Sequence, residues 1–379
     1  MRILHFYKTY YPDTLGGAEQ VINQLARATV KLGIDSEVLT LSSKHVEPTI
    51  EIDGHLVHRE PKSFQIASTG FSFAAFSRFV ELSKKADLIH YHFPWPFMDL
   101  VHFAARVKKP TVVTYHSDII KQKTLLKFYR PLRNRFLSSV DRIVATSPAY
   151  LETSRVLAKY RDKTVVIPIG LYKSTYPVSS SQLLAKWRER LGGSRFFLFV
   201  GMLRYYKGLH ILLDALQGTN FPVVIVGSGP IEAELKAQAK RMNLQHVHFT
   251  GALPDEDKAA LLELCYGVVF PSHLRSEAFG ISLLEGAMYG KPMISSEIGT
   301  GTSFVNIDQE TGLVVKPEDP AALRKAMQFL WDNPLNAHQM GVKAEERYLA
   351  LFTADRMAAS YADLYKSLVA TSTLNDKGK

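Results

Sequence analysis

The sequence has little cysteine and no long apolar run. Its 379 residues include one cysteine, Cys265, which excludes an internal disulfide and a metal site built from cysteines. Cys265 lies in the apolar run LLELCYGVVF, where a buried structural thiol is expected rather than a nucleophile. No uninterrupted apolar run reaches about 18 residues, and the first apolar run is too short for a signal peptide. We therefore expect a protein of a reducing compartment that is neither exported by that route nor an integral membrane protein.

The charge is strongly of one sign. The formal net charge is +10, with a pI of about 9.4, which calls for an anionic partner: nucleic acid, an acidic membrane face or a phosphorylated substrate. Charge alone does not choose among them. A hydrophobic content of 46% with 22% charged residues is typical of a globular protein, and the length predicts two domains.

Short apolar runs alternate with amphipathic segments along most of the chain. In AEQVINQLARATVKLG, for example, Val21, Leu25, Ala28 and Leu32 recur at the helical interval, and Gly33 predicts the helix end. This alternation predicts parallel sheets covered by helices, joined by right-handed crossovers. The pattern restarts after the Pro- and Ser-rich stretch 177–181, the predicted linker, and from about residue 321 it is helical only.

The stretch SEAFGISLLEG places two glutamates, Glu277 and Glu285, around a predicted helix start. The amides of Phe279, Gly280 and Ile281 would form an anion site there, because the first amides of a helix have no partner within it. Carboxylates accept sugar hydroxyls well, so the pattern predicts a nucleotide-sugar, with a phosphate between two polyols. Two surface glutamates are the alternative, but an unpaired charge inside ISLLEGAM would be costly.

Glycines and cations follow other predicted strands, where ligands bind open parallel sheets. Arg204 and Lys207, after FVG, suit a diphosphate, although a solvated basic turn is the alternative. Gly16-Gly17 leads into the first helix as an anion site or a flexible turn. Gly227 opens a glycine turn that lacks the third glycine of a dinucleotide site, which counts against a nicotinamide cofactor.

Three histidines and a basic stretch complete the candidates. His116 directly follows the strand TVVTYH, so it lies at a carboxyl strand end. His90 and His92 precede it with no third metal-ligand pattern nearby, and we interpret them as pocket lining or core. The segment KQKTLLKFYRPLRNRF is either a surface for an anionic membrane or a solvated helix face. Its candidate contacts are Lys121, Lys123, Lys127, Arg130 and Arg133.

The chain resembles the retaining glycosyltransferases of family 4, of the GT-B type. The resemblance runs from GGAEQ through HSD, YYKG, VGSGP and SEAFGISLLEG to the C-terminal helices. It implies two Rossmann-like domains facing across a cleft, with an acceptor-binding domain at 1–175 and a donor-binding domain at 176–355. A last helix, with the tail at 356–379, is expected to return to the first domain.

The resemblance also implies residue roles. Arg204 and Lys207 would hold the donor diphosphate, Glu277 would contact the transferred sugar, and Glu285 the ribose. The amides of residues 279–281 would meet phosphate or hexose oxygens, Gly16-Gly17 the phosphates, and His116 the anomeric centre. Gly227 belongs to the nucleotide site, and Leu253 borders the base. In one departure, Met202 stands where the family often has arginine, and Arg204 follows two residues later on the same face.

The expected chemistry is a front-side displacement in which cations and helix amides stabilise the leaving diphosphate. No D-x-D motif directly follows a predicted strand, so we predict an enzyme without metal or other cofactor. The segments HFYKTYYPDTLGGAEQ and LRYYKGLH are similar in sequence to those of bacterial mannosyltransferases that build O-polysaccharide. That similarity implies GDP-mannose as donor, an undecaprenyl-diphosphate-linked glycan as acceptor, and a cytoplasmic enzyme that associates peripherally with the membrane.

Other functions stay open. A sugar-nucleotide epimerase would use the same architecture without an acceptor, and a UDP-glucose-type donor would undergo the same transfer chemistry. A nucleic-acid-binding protein would need basic and aromatic residues on one face, which only residues 121–136 resemble, and it leaves the acidic pair unexplained. We therefore expect no nucleic-acid partner.

Overall fold

The structure, a computed structural model, describes residues 1–43, 47–66, 69–119 and 123–377. These residues form two compact units, each with its own core. The first contains residues Met1–Leu171 and Thr353–Lys379, and the second contains Tyr172–Phe352. The two boundaries lie a few residues before those expected from the sequence. The stretch 177–181 falls inside the second unit, where Ser180 caps a helix.

The first unit is built on an eight-stranded sheet with the order β10-β9-β8-β7-β1-β2-β4-β3. All neighbours are parallel except β3 and β4. A separate two-stranded sheet pairs β5 with β6. The strands are β1 (Arg2–Phe6), β2 (Asp35–Ser42), β3 (Thr49–Ile52), β4 (His55–Pro61), β5 (Phe64–Ile66), β6 (Thr69–Phe71), β7 (Leu88–Phe93), β8 (Thr111–Tyr115), β9 (Arg142–Ala145) and β10 (Thr164–Val166).

Helices connect these strands. They are α1 (Gly17–Val30), α2 (Phe73–Lys85), α3 (Pro96–Ala104), α4 (Lys123–Ser139) and α5 (Pro148–Thr153), with a 3-10 segment at Leu157–Lys163. In α1 the predicted stripe packs on the sheet through Val21, Leu25 and Ala28, which are at most 2% exposed, whereas Leu32 lies past the helix and is 40% exposed. Gly33 ends the turn with a φ of +71°, a conformation that glycine adopts without strain.

The second unit has a six-stranded sheet, all parallel, with the order β13-β12-β11-β14-β15-β16. Its strands are β11 (Phe197–Val200), β12 (Val223–Val226), β13 (Val247–Gly251), β14 (Gly267–Phe270), β15 (Met293–Ser296) and β16 (Gly312–Val315). Its helices are α6 (Ser181–Arg190), α7 (Leu209–Leu216), α8 (Glu232–Arg241), α9 (Asp255–Leu264), α10 (Ile281–Met288), α11 (Thr302–Val305), α12 (Pro320–Asp332) and α13 (Pro334–Leu351). Two 3-10 turns lie at Lys173–Thr175 and Tyr205–Lys207.

The last helix, α14 (Ala354–Lys377), belongs to the first unit and packs against α1. The chain enters it through a close backbone approach, because a Cβ on Gly170 would lie 2.3 Å from the carbonyl oxygen of Thr353. Tyr361 and Tyr365 on this helix are buried at 2% and 0% exposure. The C-terminal helix is therefore part of the first unit's core.

The two parallel sheets predicted from the alternating pattern are present, one in each unit. Three short strands, β3, β5 and β6, were not predicted, and β3 makes the first sheet mixed rather than purely parallel. Within the described residues, every helix is too short or too polar to cross a bilayer.

Candidate functional site

The second unit pairs two of the predicted ligand-binding residues directly. Lys207 ends the 3-10 turn after β11, and Glu277 lies in the loop after β14. Their Nζ and Oε2 atoms are 2.5 Å apart, and each residue is 9% exposed. The Lys207 ammonium also lies 4.6 Å from the centre of the Phe270 ring. A buried carboxylate and a buried ammonium are each costly alone, so each stabilises the other in the protein without ligand.

The N-terminus of α10 offers unpaired backbone donors next to Glu277 in the chain. Gly280 precedes the helix with a φ of +90°, and its carbonyl accepts from the amides of Leu283 and Leu284 at 3.0 and 3.2 Å. Among the described residues, no acceptor meets the amides of Phe279, Gly280 and Ile281. Ser282 joins the helix to β11 by donating to the Val200 carbonyl at 2.7 Å. Free amides at a helix N-terminus suit a phosphate.

Glu285 lies in the second turn of α10, as predicted, and is only 3% exposed. Its Oε1 accepts a hydrogen bond from the Tyr176 hydroxyl at 2.7 Å and lies 3.4 Å from the Lys258 ammonium. Burial lowers the pKa of Lys258, but Glu285 and Asp255 outweigh this effect, and the pKa is raised overall. Lys258 is therefore a cation, and the Glu285 carboxylate is held in place before any ligand arrives.

Arg204 and Gly227 have contacts that the sequence did not predict. Arg204 is exposed, and its Nε donates to the Met202 sulfur at 2.8 Å, which confirms that the two side chains share a face. Gly227 has a φ of +134°, and a Cβ there would lie 2.0 Å from the Gly201 carbonyl oxygen. The structure thus gives Gly227 a packing reason, close contact between the loops after β11 and β12. Leu253 is half-buried in the loop between β13 and α9.

In the first unit, α1 begins at Gly17, and Gly16 precedes it in extended backbone. A neighbouring acid that the sequence analysis overlooked, Glu19, folds back over Gly16, so that a Cβ on Gly16 would lie 2.5 Å from its Oε2. Glu19 is 7% exposed and accepts from the Thr14 hydroxyl at 2.9 Å. A carboxylate therefore lies where the sequence predicts a phosphate, and a phosphate there would need this side chain to move.

His116 directly follows β8 and joins a group of buried histidines. Its Nε2 lies 3.0 Å from Nδ1 of His92, and Nε2 of His92 lies 3.1 Å from Nδ1 of His5. Burial, with a smaller contribution from Lys8, lowers the pKa of His116 to about 4. His116 is neutral at neutral pH and is placed by its neighbours rather than by solvent.

The third histidine next to His90 and His92 corrects the sequence analysis, which found none nearby. His5 comes from β1, where it pairs in register with His90 on β7, and one ring nitrogen from each of the three residues lies within 4.8 Å of those from the other two. The sequence signal was a histidine in the middle of both RILHFY and LIHYHF, but only the strand order makes β1 and β7 neighbours.

Comparison with known proteins identifies the family. The profile described as Glycosyltransferase Family 4 matches residues 15–172, and that described as Glycosyl transferases group 1 matches residues 184–347. D-rhamnosyltransferase WbpZ of Pseudomonas aeruginosa is 64% identical over 93% of both chains. The chain belongs to glycosyltransferase family 4. O-antigen chain mannosyltransferase C of Escherichia coli is 53% identical over 97% of this glycosyltransferase and 99% of that enzyme.

A solved structure supports the fold of this glycosyltransferase. Sucrose-phosphate synthase from Thermosynechococcus elongatus matches with a TM-score of 0.79 over 98% of this chain and 99% of that one, at 24% identity. At that identity the likeness concerns the fold alone. It agrees with the two parallel-sheet units described above.

The basic segment of this glycosyltransferase needs one correction. Lys127 and Arg130 on α4 are exposed, as a surface requires, but Arg133 is only 7% exposed and is not a surface residue. Its guanidinium donates to Asn134 Oδ1 at 3.2 and 2.8 Å. Burial raises the pKa of Asp99 well above its usual value, and the hydrogen bond from Tyr129 and the charge of Arg133 lower it by less. Lys121 lies outside the described residues, as does the side chain of Lys123.

Proposed function

We propose that this glycosyltransferase transfers mannose from GDP-mannose to a lipid-linked glycan in O-antigen synthesis, with retention of configuration. The similarity to D-rhamnosyltransferase WbpZ and O-antigen chain mannosyltransferase C supports the hexose and the pathway. The main observation in favour of a donor site is the buried ion pair of Lys207 with Glu277. Close to Glu277 in the sequence are three backbone amides that have no acceptor among the described residues.

The roles follow from the chemistry of these groups. A donor diphosphate would replace Glu277 as the partner of the Lys207 ammonium and accept from the amides of residues 279–281. Glu277, released from the ammonium, would accept a hydroxyl of the transferred sugar. Glu285, fixed by Tyr176, would accept the ribose hydroxyls with its other oxygen. His116, which is neutral and partly exposed, would have the role near the anomeric centre that the family resemblance implies.

We also propose that the reaction needs no metal. As the diphosphate leaves, negative charge develops on it, and preorganised donors stabilise such charge strongly in a site with little water. Lys207 and the α10 amides supply those donors, with exposed Arg204 as a further cation. Full activity after dialysis against a chelator is expected, and activity restored only by Mg²⁺ or Mn²⁺ would contradict the proposal.

GDP-D-rhamnose is the second candidate donor, favoured by the 64% identity with a D-rhamnosyltransferase. D-rhamnose is D-mannose without its 6-hydroxyl, so the two donors differ in one group. A transfer assay with GDP-mannose, GDP-D-rhamnose and UDP-glucose, each with an undecaprenyl-diphosphate-linked glycan, decides between them. The anomeric configuration of the product, measured by NMR, tests retention. Activity with UDP-glucose alone would overturn the proposed donor.

The same assay without acceptor tests the alternative of an epimerase. A transferase consumes the donor at a useful rate only when acceptor is present, whereas an epimerase converts it alone. The relatives reported above carry the names of transferases, which does not favour the epimerase. Membrane association through exposed Lys127 and Arg130 is a further part of the proposal. It predicts sedimentation with anionic but not neutral vesicles, which high salt abolishes.

A further inference from the structure

The histidines of the first unit form a continuous hydrogen-bonded chain that ends at His116. The order is His5, His92 and His116, with nitrogen–nitrogen distances of 3.1 and 3.0 Å. His5 and His92 are 0% exposed, whereas His116 keeps partial exposure. Within the described residues, the two end nitrogens, Nε2 of His5 and Nδ1 of His116, have no hydrogen-bond partner, and the former is buried.

All three rings are neutral at neutral pH. Burial lowers the pKa of His5 to about 3 and of His116 to about 4, and it lowers that of His92 well below the usual range. A neutral imidazole carries one proton and can donate from only one nitrogen. Each of the two hydrogen bonds needs one donor, so the chain has only two consistent arrangements, which run in opposite directions.

The two arrangements differ at the ends of the chain. In one, His5 donates from Nδ1, His92 donates from Nδ1 to His116, and His116 carries its proton on Nδ1. In the other, every proton moves to Nε2, which leaves a buried N–H on His5 without an acceptor. Buried donors without a partner are the rarer defect in folded proteins, rarer than acceptors without one.

We propose that His5 and His92 are positioning residues that hold His116 in the tautomer with its proton on Nδ1. His116 then presents an N–H donor, rather than a lone pair, to whatever lies on its open side. Under the proposed function, this donor would bind an oxygen of the sugar or phosphate, and His116 would not act as a general base through Nδ1. The inference relies on the proposed function only for the identity of that ligand.

A second set of contacts fixes the chain from the side. The ring centre of His90 lies 4.3 Å from that of His92. Both nitrogens of His90 are hydrogen-bonded, Nε2 with Thr114 Oγ1 at 2.7 Å and Nδ1 with the Tyr365 hydroxyl at 2.7 Å. Thr114 in turn contacts the Tyr361 hydroxyl at 2.7 Å. Both tyrosines belong to α14, so the C-terminal helix holds the histidine layer in place.

These contacts also separate the proposal from a metal site. His5, His90 and His92 are close enough to share an ion, but a ligand nitrogen must offer a free lone pair. Both nitrogens of His90 and both of His92 already take part in hydrogen bonds. Only Nε2 of His5 has no partner among the described atoms of the three rings.

The test is to observe the tautomers directly in the full-length protein labelled with ¹⁵N-histidine. Long-range ¹H–¹⁵N correlation spectra distinguish protonated from bare ring nitrogens, and single substitutions assign the signals. We expect the proton of His116 on Nδ1 in the native protein. In His92→Leu the proton of His116 should move to Nε2, because the His92 N–H that donates to this nitrogen is gone. In His92→Asn, whose amide lies where Nδ1 was, the native tautomer should return.

The activity arm follows the same series. We expect His92→Leu to lower kcat about 10- to 100-fold, the usual effect of removing a group that orients a histidine, and His92→Asn to restore most of it. His102→Gln is the matched control. His102 is also buried and hydrogen-bonded at both nitrogens, to Tyr91 and Ser139, but it is not one of the hydrogen-bonded histidines His5, His92 and His116. It should lose stability without shifting the His116 signals.

Three results would overturn the inference: a proton on Nε2 of His116 in the native protein, an unchanged tautomer in His92→Leu, or stoichiometric Zn²⁺ binding that shifts the signals of His5, His90 and His92. The spectra need neither donor nor acceptor. A protein with the expected tautomer but no hexose transfer would refute the proposed function alone, and an active enzyme with the other tautomer would refute only this inference.

Discussion

The pair of Lys207 and Glu277 gives the sharpest test of the proposed donor site. Lys207→Ala leaves the Glu277 carboxylate, whose side chain is 11% exposed, without its cation at 2.5 Å. Removing one partner of a buried ion pair costs about 3–5 kcal/mol, and the slight exposure favours about 3 kcal/mol. For a unit of this size, that loss corresponds to a fall in melting temperature of roughly 6–12 °C.

A double-mutant cycle separates the interaction from other effects of the substitution. Glu277→Gln in the Lys207→Ala background removes the uncompensated charge, so the double variant should be more stable than the sum of the single losses predicts. We expect a coupling energy of at least about 1 kcal/mol, measured by thermal or urea unfolding. Lys236→Ala is the matched control. Its pair with Glu232, at 2.7 Å, has side chains 50% and 27% exposed, and about 0.5 kcal/mol is expected.

Activity gives the second measurement. Loss of one preorganised donor at a developing negative charge costs roughly 10²–10³ in kcat. Lys207→Ala should therefore lose at least that factor with saturating donor, and Lys236→Ala should lose none. The reasoning fails if the coupling energy is below about 0.5 kcal/mol, which is the error of additivity, or if Lys207→Ala turns over at the native rate.

Three further predictions concern stability. Gly227→Ala should cost at least about 3 kcal/mol, because its Cβ meets a backbone carbonyl at 2.0 Å, whereas Gly218→Ala, with a φ of +76° and open space, should cost about 1–2 kcal/mol; equal losses would contradict this. Tyr176→Phe removes a 2.7 Å hydrogen bond to a buried carboxylate and should cost about 1.5–3 kcal/mol in urea unfolding, and a loss within error would refute it. Burial, aided by His55 for His5 and by Lys8 for His116, lowers their pKa values to about 3 and about 4. Unfolded histidines titrate near pH 6.5, so the unfolded chain takes up protons before the folded protein does as the pH is lowered. The free energy of unfolding should therefore fall between about pH 6.5 and about pH 4, by up to about 1.4 kcal/mol per pH unit for each histidine. A urea midpoint that rises as the pH is lowered through this window would refute the prediction.

Much of the fold could be predicted because its strands are buried on both faces. The four residues of each of β11, β12 and β14 are buried, so these strands appear in the sequence as apolar runs. The strands that were missed lack this signal. In β5 every residue is exposed, and in β3 none is buried, so neither produces a run that differs from a loop.

The places of the candidate-site residues in the fold could be predicted from the sequence, but their contacts could not. Glu277 was identified from its place before a helix, yet its partner Lys207 is 70 positions away, and nothing in the sequence says which cation meets it. Glu285 was identified from an apolar helix that should not hold a bare charge, but Tyr176 lies in a stretch interpreted as leading to a linker. The prediction that Arg133 is a surface residue was wrong. Helical spacing alone does not tell which basic side chain of α4 faces Asp99.

The two candidate-site carboxylates of the second unit, Glu277 and Glu285, share one property that bears on the proposed donor binding. Glu277 and Glu285 are 9% and 3% exposed, and each already has a hydrogen-bonding partner, Lys207 for the first and Tyr176 for the second. Ligand binding at such groups is an exchange of partners, so its free energy is the difference between two sets of hydrogen bonds. Under the proposed function, a diphosphate would gain over Glu277 because it would also accept from the α10 amides, which have no acceptor among the described residues. Under that proposal the gain would be largest when the charge on the diphosphate is highest, which is when the bond to the sugar breaks.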